Sequence, residues 1–194
     1  MRIELCGGIA SGKTTFAHAL KTHLTRFTTV YEDFSANTFL DDFYKDTARY
    51  AYETEISFLL QHMHQIKITQ SKGVDLICDF SLEQDYAYAV SNLEPVSRHS
   101  FEEVYKEAAR QIGPPDLICF LQCPSLVLAE RIHARERSNE MEINVTYLDN
   151  TVRALRDRLS QQKSDVVVID SNQYDFRNSA DMKRITINTL QMYL

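Results

Sequence analysis

No apolar run in this sequence approaches the roughly 20 residues of a membrane span, and the N-terminus enters a strand pattern with no signal-peptide signature. The chain is expected to be cytoplasmic and to have no membrane partner. Positive charge is in deficit, with 21 Lys and Arg against 27 Asp and Glu and a formal net charge of −6. That leaves no general electrostatic grip on nucleic acid. The 4 cysteines, Cys6, Cys78, Cys119 and Cys123, show no C-x-x-C spacing, and three lie in apolar strand-like runs. They are expected to pack in the core, and no structural metal is assigned. There is no internal repeat, low-complexity tract or linker. At 194 residues and 44% hydrophobic composition the chain is expected to be a single domain over 1–194, with a lid at about 131–146.

Glycine is also scarce, at 5 residues, and three of the five fall within one short segment. Gly7-Gly8-Ile9-Ala10-Ser11-Gly12-Lys13-Thr14, followed by Thr15, is a G-x-x-x-x-G-K-[ST] phosphate-binding loop. The glycines let successive backbone N–H groups turn inward around phosphate oxygens, and the following helix aims its positive end at them. Lys13 adds a cation for the outer phosphates. Thr14 offers a hydroxyl to a magnesium ion, which prefers hard oxygen ligands. The context fits, because Ile3 and Leu5 alternate before the loop and Phe16, Leu20 and Leu24 recur at helical spacing after it. The segment predicts ATP with Mg2+ as the bound nucleotide.

Apolar strands over Arg2–Cys6, Thr28–Tyr31, Val74–Phe80, Asp116–Leu121 and Asp165–Asp170 alternate with helical stretches. This predicts an α/β fold, a five-stranded parallel sheet with helices on both faces. Val166 to Ile169 and Leu117 to Leu121 are continuous apolar runs, as expected of strands buried on both sides. A long helix is expected from about Lys45 to Ser71, ended by Gly73, and Gly113-Pro114-Pro115 is the clearest breaker.

Ligands of such sheets collect beyond the carboxyl ends of the strands. Asp79 closes the third strand there and is the second candidate for the metal side. Glu32 follows the second strand, where a carboxylate can take the proton of an acceptor hydroxyl. Arg131 and Arg135 stand at i and i+4 on one expected helical face, with Arg137 close behind. Such a cluster can clamp a transferring phosphoryl group.

With these motifs in this order the chain resembles the deoxynucleoside kinases, in particular the bacterial deoxyadenosine and deoxyguanosine kinase branch, over almost its whole length. The resemblance implies a kinase acting on a nucleoside 5′-hydroxyl, with a purine deoxynucleoside favoured, and a homodimer. It makes Glu32 the base, although the usual following Pro is Asp33, and gives Tyr44 and Glu140 to the sugar 3′-hydroxyl. Arg131, Arg135 and Arg137 match the family's lid arginines, and Asp85 maps to its reader of the nucleobase. Asn172, Asp175 and Phe176 fall in a segment similar to the loop that packs on the donor's adenine.

Three positions depart from the family pattern. The D/E-R-S triplet is Asp79-Phe80-Ser81, so Phe80 removes a cation beside the base and the phosphates. Glu55 stands where the family has Gln, and His62 where some branches have Arg. An ionised Glu accepts hydrogen bonds and donates none, which favours a base edge rich in donors, such as that of guanine. Two other readings remain beside the nucleoside kinase. One is a kinase for another hydroxyl-bearing small molecule; the other is a nucleotide-binding sensor weakened by Phe80. The apolar residues Phe58, Leu59, Met63 and Ile66 with His62 on the long helix suit either a dimer face or plain core.

Overall fold

The structure is a computed structural model and describes residues 1–137, 140, 141 and 143–193. Its strands are β1 (Arg2–Cys6), β2 (Thr28–Val30), β3 (Leu76–Cys78), β4 (Leu117–Gln122) and β5 (Asp165–Asp170), all parallel and ordered β2-β3-β1-β4-β5. The helices are α1 (Lys13–His23), α2 (Leu40–Lys45), α3 (Thr47–Gln70), α4 (Leu82–Asn92), α5 (Pro95–Ile112), α6 (Ser125–Ala134), α7 (Val145–Leu159) and α8 (Ser179–Ile185). Among the described residues no helix is long and apolar enough to cross a membrane.

Side-chain alternation sorts the sheet into two faces. Ile3, Leu5, Leu117, Cys119 and Leu121 pack with Phe16 and Leu20 of α1 and with Met182 and Ile185 of α8. On the opposite face Leu76 and Cys78 meet α3 and α5, while Cys6, Ile118 and Phe120 meet Leu155 and Leu159 of α7. All four cysteines are free and buried, as expected of small core residues.

Two sequence expectations need correction. β5 is an edge strand, so its apolar run is not buried on both sides: Val168 is 55% exposed, whereas Val167 and Ile169 are buried. The long helix starts at Thr47 rather than Lys45, because the Asp46 carboxylate caps it by accepting from the Arg49 N–H at 3.2 Å, leaving α2 as a separate short helix. The structure also decides the nature of the apolar stripe on α3. Leu59, His62 and Ile66 are fully buried, and Phe58 turns to the cleft described below.

The strand order places the site. From β1 the chain moves outward to β2, returns to β3, then crosses β1 to reach β4. The crevice at such a reversal, outside the carboxyl ends of β1 and β3, is where open parallel sheets bind ligands. The phosphate-binding loop follows β1 and Asp79 follows β3.

Candidate active site

The loop after β1 is built for close approach to an anion. Gly12, the N-cap of α1, is left-handed at φ 96, and no side chain caps the helix or places an acid in its first turn. The helix end therefore keeps its free N–H groups and positive potential. A Cβ on Gly7 would lie 2.5 Å from Ser11 Oγ and 2.8 Å from the Leu121 carbonyl oxygen, so the loop folds only around a bare Cα there. The Gly7 N–H donates to Gln84 Oε1 at 3.0 Å, which ties the loop to α4. Lys13 Nζ donates to the Gly7 carbonyl at 3.1 Å, folded back over the loop.

The Thr14 hydroxyl donates to Asp79 Oδ2 at 2.6 Å, joining the two residues expected on the metal side. Asp79 is 2% exposed, and its other oxygen, Oδ1, has no hydrogen-bond partner. Burial raises its pKa to about 6 against the pull of Thr14 and Lys13. A buried, half-unsatisfied carboxylate beside a hydroxyl at a phosphate loop fits a hard cation with its phosphates.

A cleft of about 350 Å³ opens from this loop, a size suited to a small molecule. Ile9 to Thr15 form one end. Glu32, Tyr44, Glu55, Asp85, Arg135, Arg137 and Glu140 line the rest. The helices place these groups by periodicity: Thr54, Glu55 and Phe58 share one face of α3, and Gln84, Asp85 and Tyr88 one face of α4. The Ser81 side chain caps α4 by accepting from the Gln84 N–H.

Glu55 is 4% exposed rather than on a solvated face, and Asn92 Nδ2 donates to its Oε1 at 2.7 Å. Burial raises its pKa to about 8, with Asn92 opposing and Asp85 adding to the shift. Tyr44 and Glu140 line the same cleft, and burial, with the charge of Glu140 next, holds the Tyr44 phenol above its ordinary pKa. Glu140 accepts from Arg135 and, at 3.3 Å, from Arg137.

Arg131 and Arg135 span the last turn of α6, the Arg135 N–H donating to the Arg131 carbonyl at 3.2 Å, but their side chains take different partners. α6 ends at Ala134 and Glu136 is left-handed at φ 50, which turns Arg137 out of the helix. Arg135 and Arg137 pair with Glu140 within their own segment, while Arg131 donates to the Ser171 carbonyl at 2.7 Å and leans on the Ala10 carbonyl at 3.5 Å. Residues 138, 139 and 142 of the expected lid lie outside the described residues. The segment expected at the donor's adenine follows β5. Phe176 is buried against Phe16, with ring centroids 4.8 Å apart, beneath Gly12. It supports the phosphate loop from below. Asn172 donates its N–H to Asp170, and Asp175 pairs with Arg177.

Phe80 lies outside the cleft, fully buried, with its ring parallel to the imidazole of His62 at 3.9 Å and 8°. Asp85 turns both oxygens to His62 Nδ1, at 3.0 and 2.9 Å. Sequence reasoning missed the grouping of His62 with Asp85 and Glu32, and missed Gln84, Tyr88 and Asn92. The i, i+1, i+4 spacing on α3 and α4 was the available signal for the cleft-lining members.

A phosphate loop, an acid at the end of the neighbouring strand and a cleft lined by a further carboxylate define a phosphoryl-transfer enzyme of the P-loop class acting on a small molecule. A model of the deoxynucleoside kinase family matches residues 3–192. The chain belongs to that family and is a nucleoside kinase. It is 26% identical to a deoxyguanosine kinase of Bacillus subtilis over 98% of this chain and 96% of that protein. It is 29% identical to a deoxyadenosine kinase of Dictyostelium discoideum over 90% of this chain and 73% of that protein. Among solved structures, a deoxyadenosine kinase from M. mycoides with bound dCTP superposes with a TM-score of 0.83 at 20% identity, covering 99% of this chain and all of that one. That likeness establishes the fold.

Proposed function

We propose that this chain transfers the γ-phosphoryl group of ATP to the 5′-hydroxyl of a purine deoxynucleoside. The observation that carries the reading is one cleft lined at one end by Lys13 and Thr14 and farther along by Glu32, Tyr44, Glu55 and Glu140. Donor phosphates and an acceptor sugar need to meet in this order. Loop amides, Lys13, Arg135 and Arg137 hold the phosphates, with Arg131 bracing the loop beneath. Tyr44 and Glu140 grip the 3′-hydroxyl. Glu32 accepts the proton of the 5′-hydroxyl, and most of the acceleration comes from positioning and charge stabilisation. Magnesium, when bound, neutralises phosphate charge, and Thr14 and Asp79 are the residues to hold it.

Purine preference is supported by the relatives that act on deoxyguanosine and deoxyadenosine. Asn172 and Asp175 are assigned to the donor's base side, with Phe176 acting indirectly through Gly12. The segment from 131 to about 146 serves as the lid. We also propose a cytoplasmic homodimer. Leu60 and Ile68, exposed at 43% and 45% on α3, support a dimer surface there.

ADP release from ATP and Mg2+ with each of four deoxynucleosides and four ribonucleosides tests this reading. Glu32→Ala should reduce turnover by about a hundredfold or more. Equal turnover of parent and variant, or a substrate outside the nucleosides, would overturn the assignment.

A further inference from the structure

His62 projects from α3 and is 1% exposed. Its Nδ1 faces both oxygens of Asp85 from α4, at 3.0 and 2.9 Å. Its Nε2 makes no hydrogen bond and lies 3.5 Å from Glu32 Oε1, on the loop after β2, at ion-pair distance. Phe80 covers one face of the ring in a parallel stack, and Phe58 packs nearby with ring centroids 5.8 Å apart. No aqueous partner competes at 1% exposure.

A neutral imidazole donates from only one nitrogen. If Nδ1–H serves Asp85, a neutral ring turns the Nε2 lone pair toward a carboxylate oxygen, lone pair against lone pair. The imidazolium carries a proton at both ends. Burial works against that charge, but Asp85 and Glu32 outweigh it and push the pKa to about 10. The parallel stack on Phe80 is also compatible with a cation over an aromatic face.

Glu32 needs such a neighbour. The Asp79 carboxylate, from the end of β3, and the Asp85 carboxylate, from α4, crowd the same region, and each disfavours a further negative charge there. Phosphates entering the loop add more. Lys13 donates to the loop carbonyls of Gly7 and Gly8.

We infer that His62 is a positioning residue for phosphoryl transfer: clamped by Asp85 and Phe80, its ring sets a positive charge beside one oxygen of Glu32 and leaves the second oxygen to the acceptor hydroxyl. This role rests on the assignment of Glu32 as base. In the step it serves, the acceptor oxygen forms a bond to the γ-phosphorus and the bond from that phosphorus to the β,γ-bridging oxygen breaks. The electron pair leaves with ADP and the hydroxyl proton passes to Glu32. His62 keeps its own proton throughout. Asp85 orients His62 through both oxygens and keeps lone pairs for the cleft that it lines.

The first test reads the ring itself. In the parent protein labelled at histidine nitrogens, two-bond proton–nitrogen correlation spectra at neutral pH should show both ring nitrogens of His62 protonated, with the signal among the 6 histidines assigned by its loss in His62→Gln. In Glu32→Gln the imidazolium should lose its proton at lower pH than in the parent. A singly protonated ring in the parent, or no shift in Glu32→Gln, would overturn the inference.

The second test is kinetic. His62→Gln keeps hydrogen-bonding capacity and loses the charge, so kcat should fall about tenfold or more while KM for the deoxynucleoside changes less than about threefold. The acid limb of the kcat/KM profile should move to higher pH, because the His62 charge no longer opposes protonation of Asp85. His62→Arg restores the cation and should recover most of kcat. An unchanged kcat and acid limb in His62→Gln would sink the role. Full turnover in Glu32→Gln would instead overturn the kinase chemistry assigned to Glu32, while the protonation state of His62 is read independently of turnover.

Discussion

Raising the pH through the range in which Glu55 titrates should turn base preference from adenine toward guanine. Burial lifts this carboxyl from 4.5 to about 8. At 1.36 kcal/mol per pKa unit the carboxylate is disfavoured there by about 5 kcal/mol. Below that pH Glu55 is a carboxylic acid, with one donor and one acceptor, as an amide would be. Asn92 donates to Oε1, which leaves Oε2 to carry the proton toward the cleft. That pair suits adenine, whose N6 amino group donates and whose ring nitrogens accept. Above it, Glu55 is an acceptor only, suited to guanine N1–H and its 2-amino group.

A group with a pKa of about 8 goes from about one-tenth ionised at pH 7 to about nine-tenths at pH 9. Deoxyguanosine follows the ionised fraction and deoxyadenosine the neutral one, so the ratio of their kcat/KM values should rise by up to about a hundredfold across that interval. Taking a ratio cancels the pH dependence that both substrates share through Glu32 and the phosphates. Glu55→Gln should flatten the ratio. Asn92→Ala removes a hydrogen bond that lowers the pKa of Glu55 and should move the midpoint to higher pH. A ratio that does not change with pH, or one that changes equally in Glu55→Gln, refutes the reasoning.

Three further outcomes follow from the same geometry. Asp79→Asn keeps an acceptor for the Thr14 hydroxyl and removes the charge, so a magnesium titration of turnover should shift to about 10–100-fold higher concentration with KM for the deoxynucleoside little changed. Gly12→Ala forces a side chain into φ 96 and sets a Cβ 3.2 Å from Phe176. A loss of about 1–2 kcal/mol is expected in urea melts, together with weaker ATP binding by calorimetry. Conformational stability should fall as pH rises, because the folded state binds the extra protons: Glu55 contributes a loss from about 4.5 to about 8, and His62 one from 6.5 to about 10. Urea midpoints of Glu55→Gln and His62→Gln, measured against pH, should each lose the corresponding part of the slope.

The fold was legible because its signals are local. Continuous apolar runs at β1 and β4, helical spacing after Gly12 and acids at the ends of β2 and β3 fix the alternation and the rim without any knowledge of contacts. β5 misled because Val166 to Ile169 has the composition of a central strand, and only the strand order leaves Val168 at an edge. The i and i+4 spacing holds at Arg131 and Arg135, which the last helical bond of α6 joins, and Arg137 lies beyond the end of that helix. Phe176 reads as a donor-side aromatic in a loop, yet its ring fills the space under Gly12, which no one-dimensional pattern encodes.

Phe80 shows most clearly what a residue-by-residue reading loses. By resemblance that position supplies a cation, so an aromatic ring there implies a base left without its positive neighbour. In three dimensions the charge comes from α3 instead. His62, 18 residues earlier in the chain, places Nε2 near Glu32, and Phe80 is the flat surface against which its ring is held. An Arg at position 80 would have to displace that stack, so the two solutions exclude each other sterically. Phe80→Arg in the parent should therefore impair turnover, whereas the same change made with His62→Ala, which clears the space beside it, should impair turnover less than His62→Ala alone. That sign reversal, measured as kcat in the four proteins of the double-mutant cycle, separates a relocated cation from a lost one. Additive losses would mean that Phe80 serves packing alone.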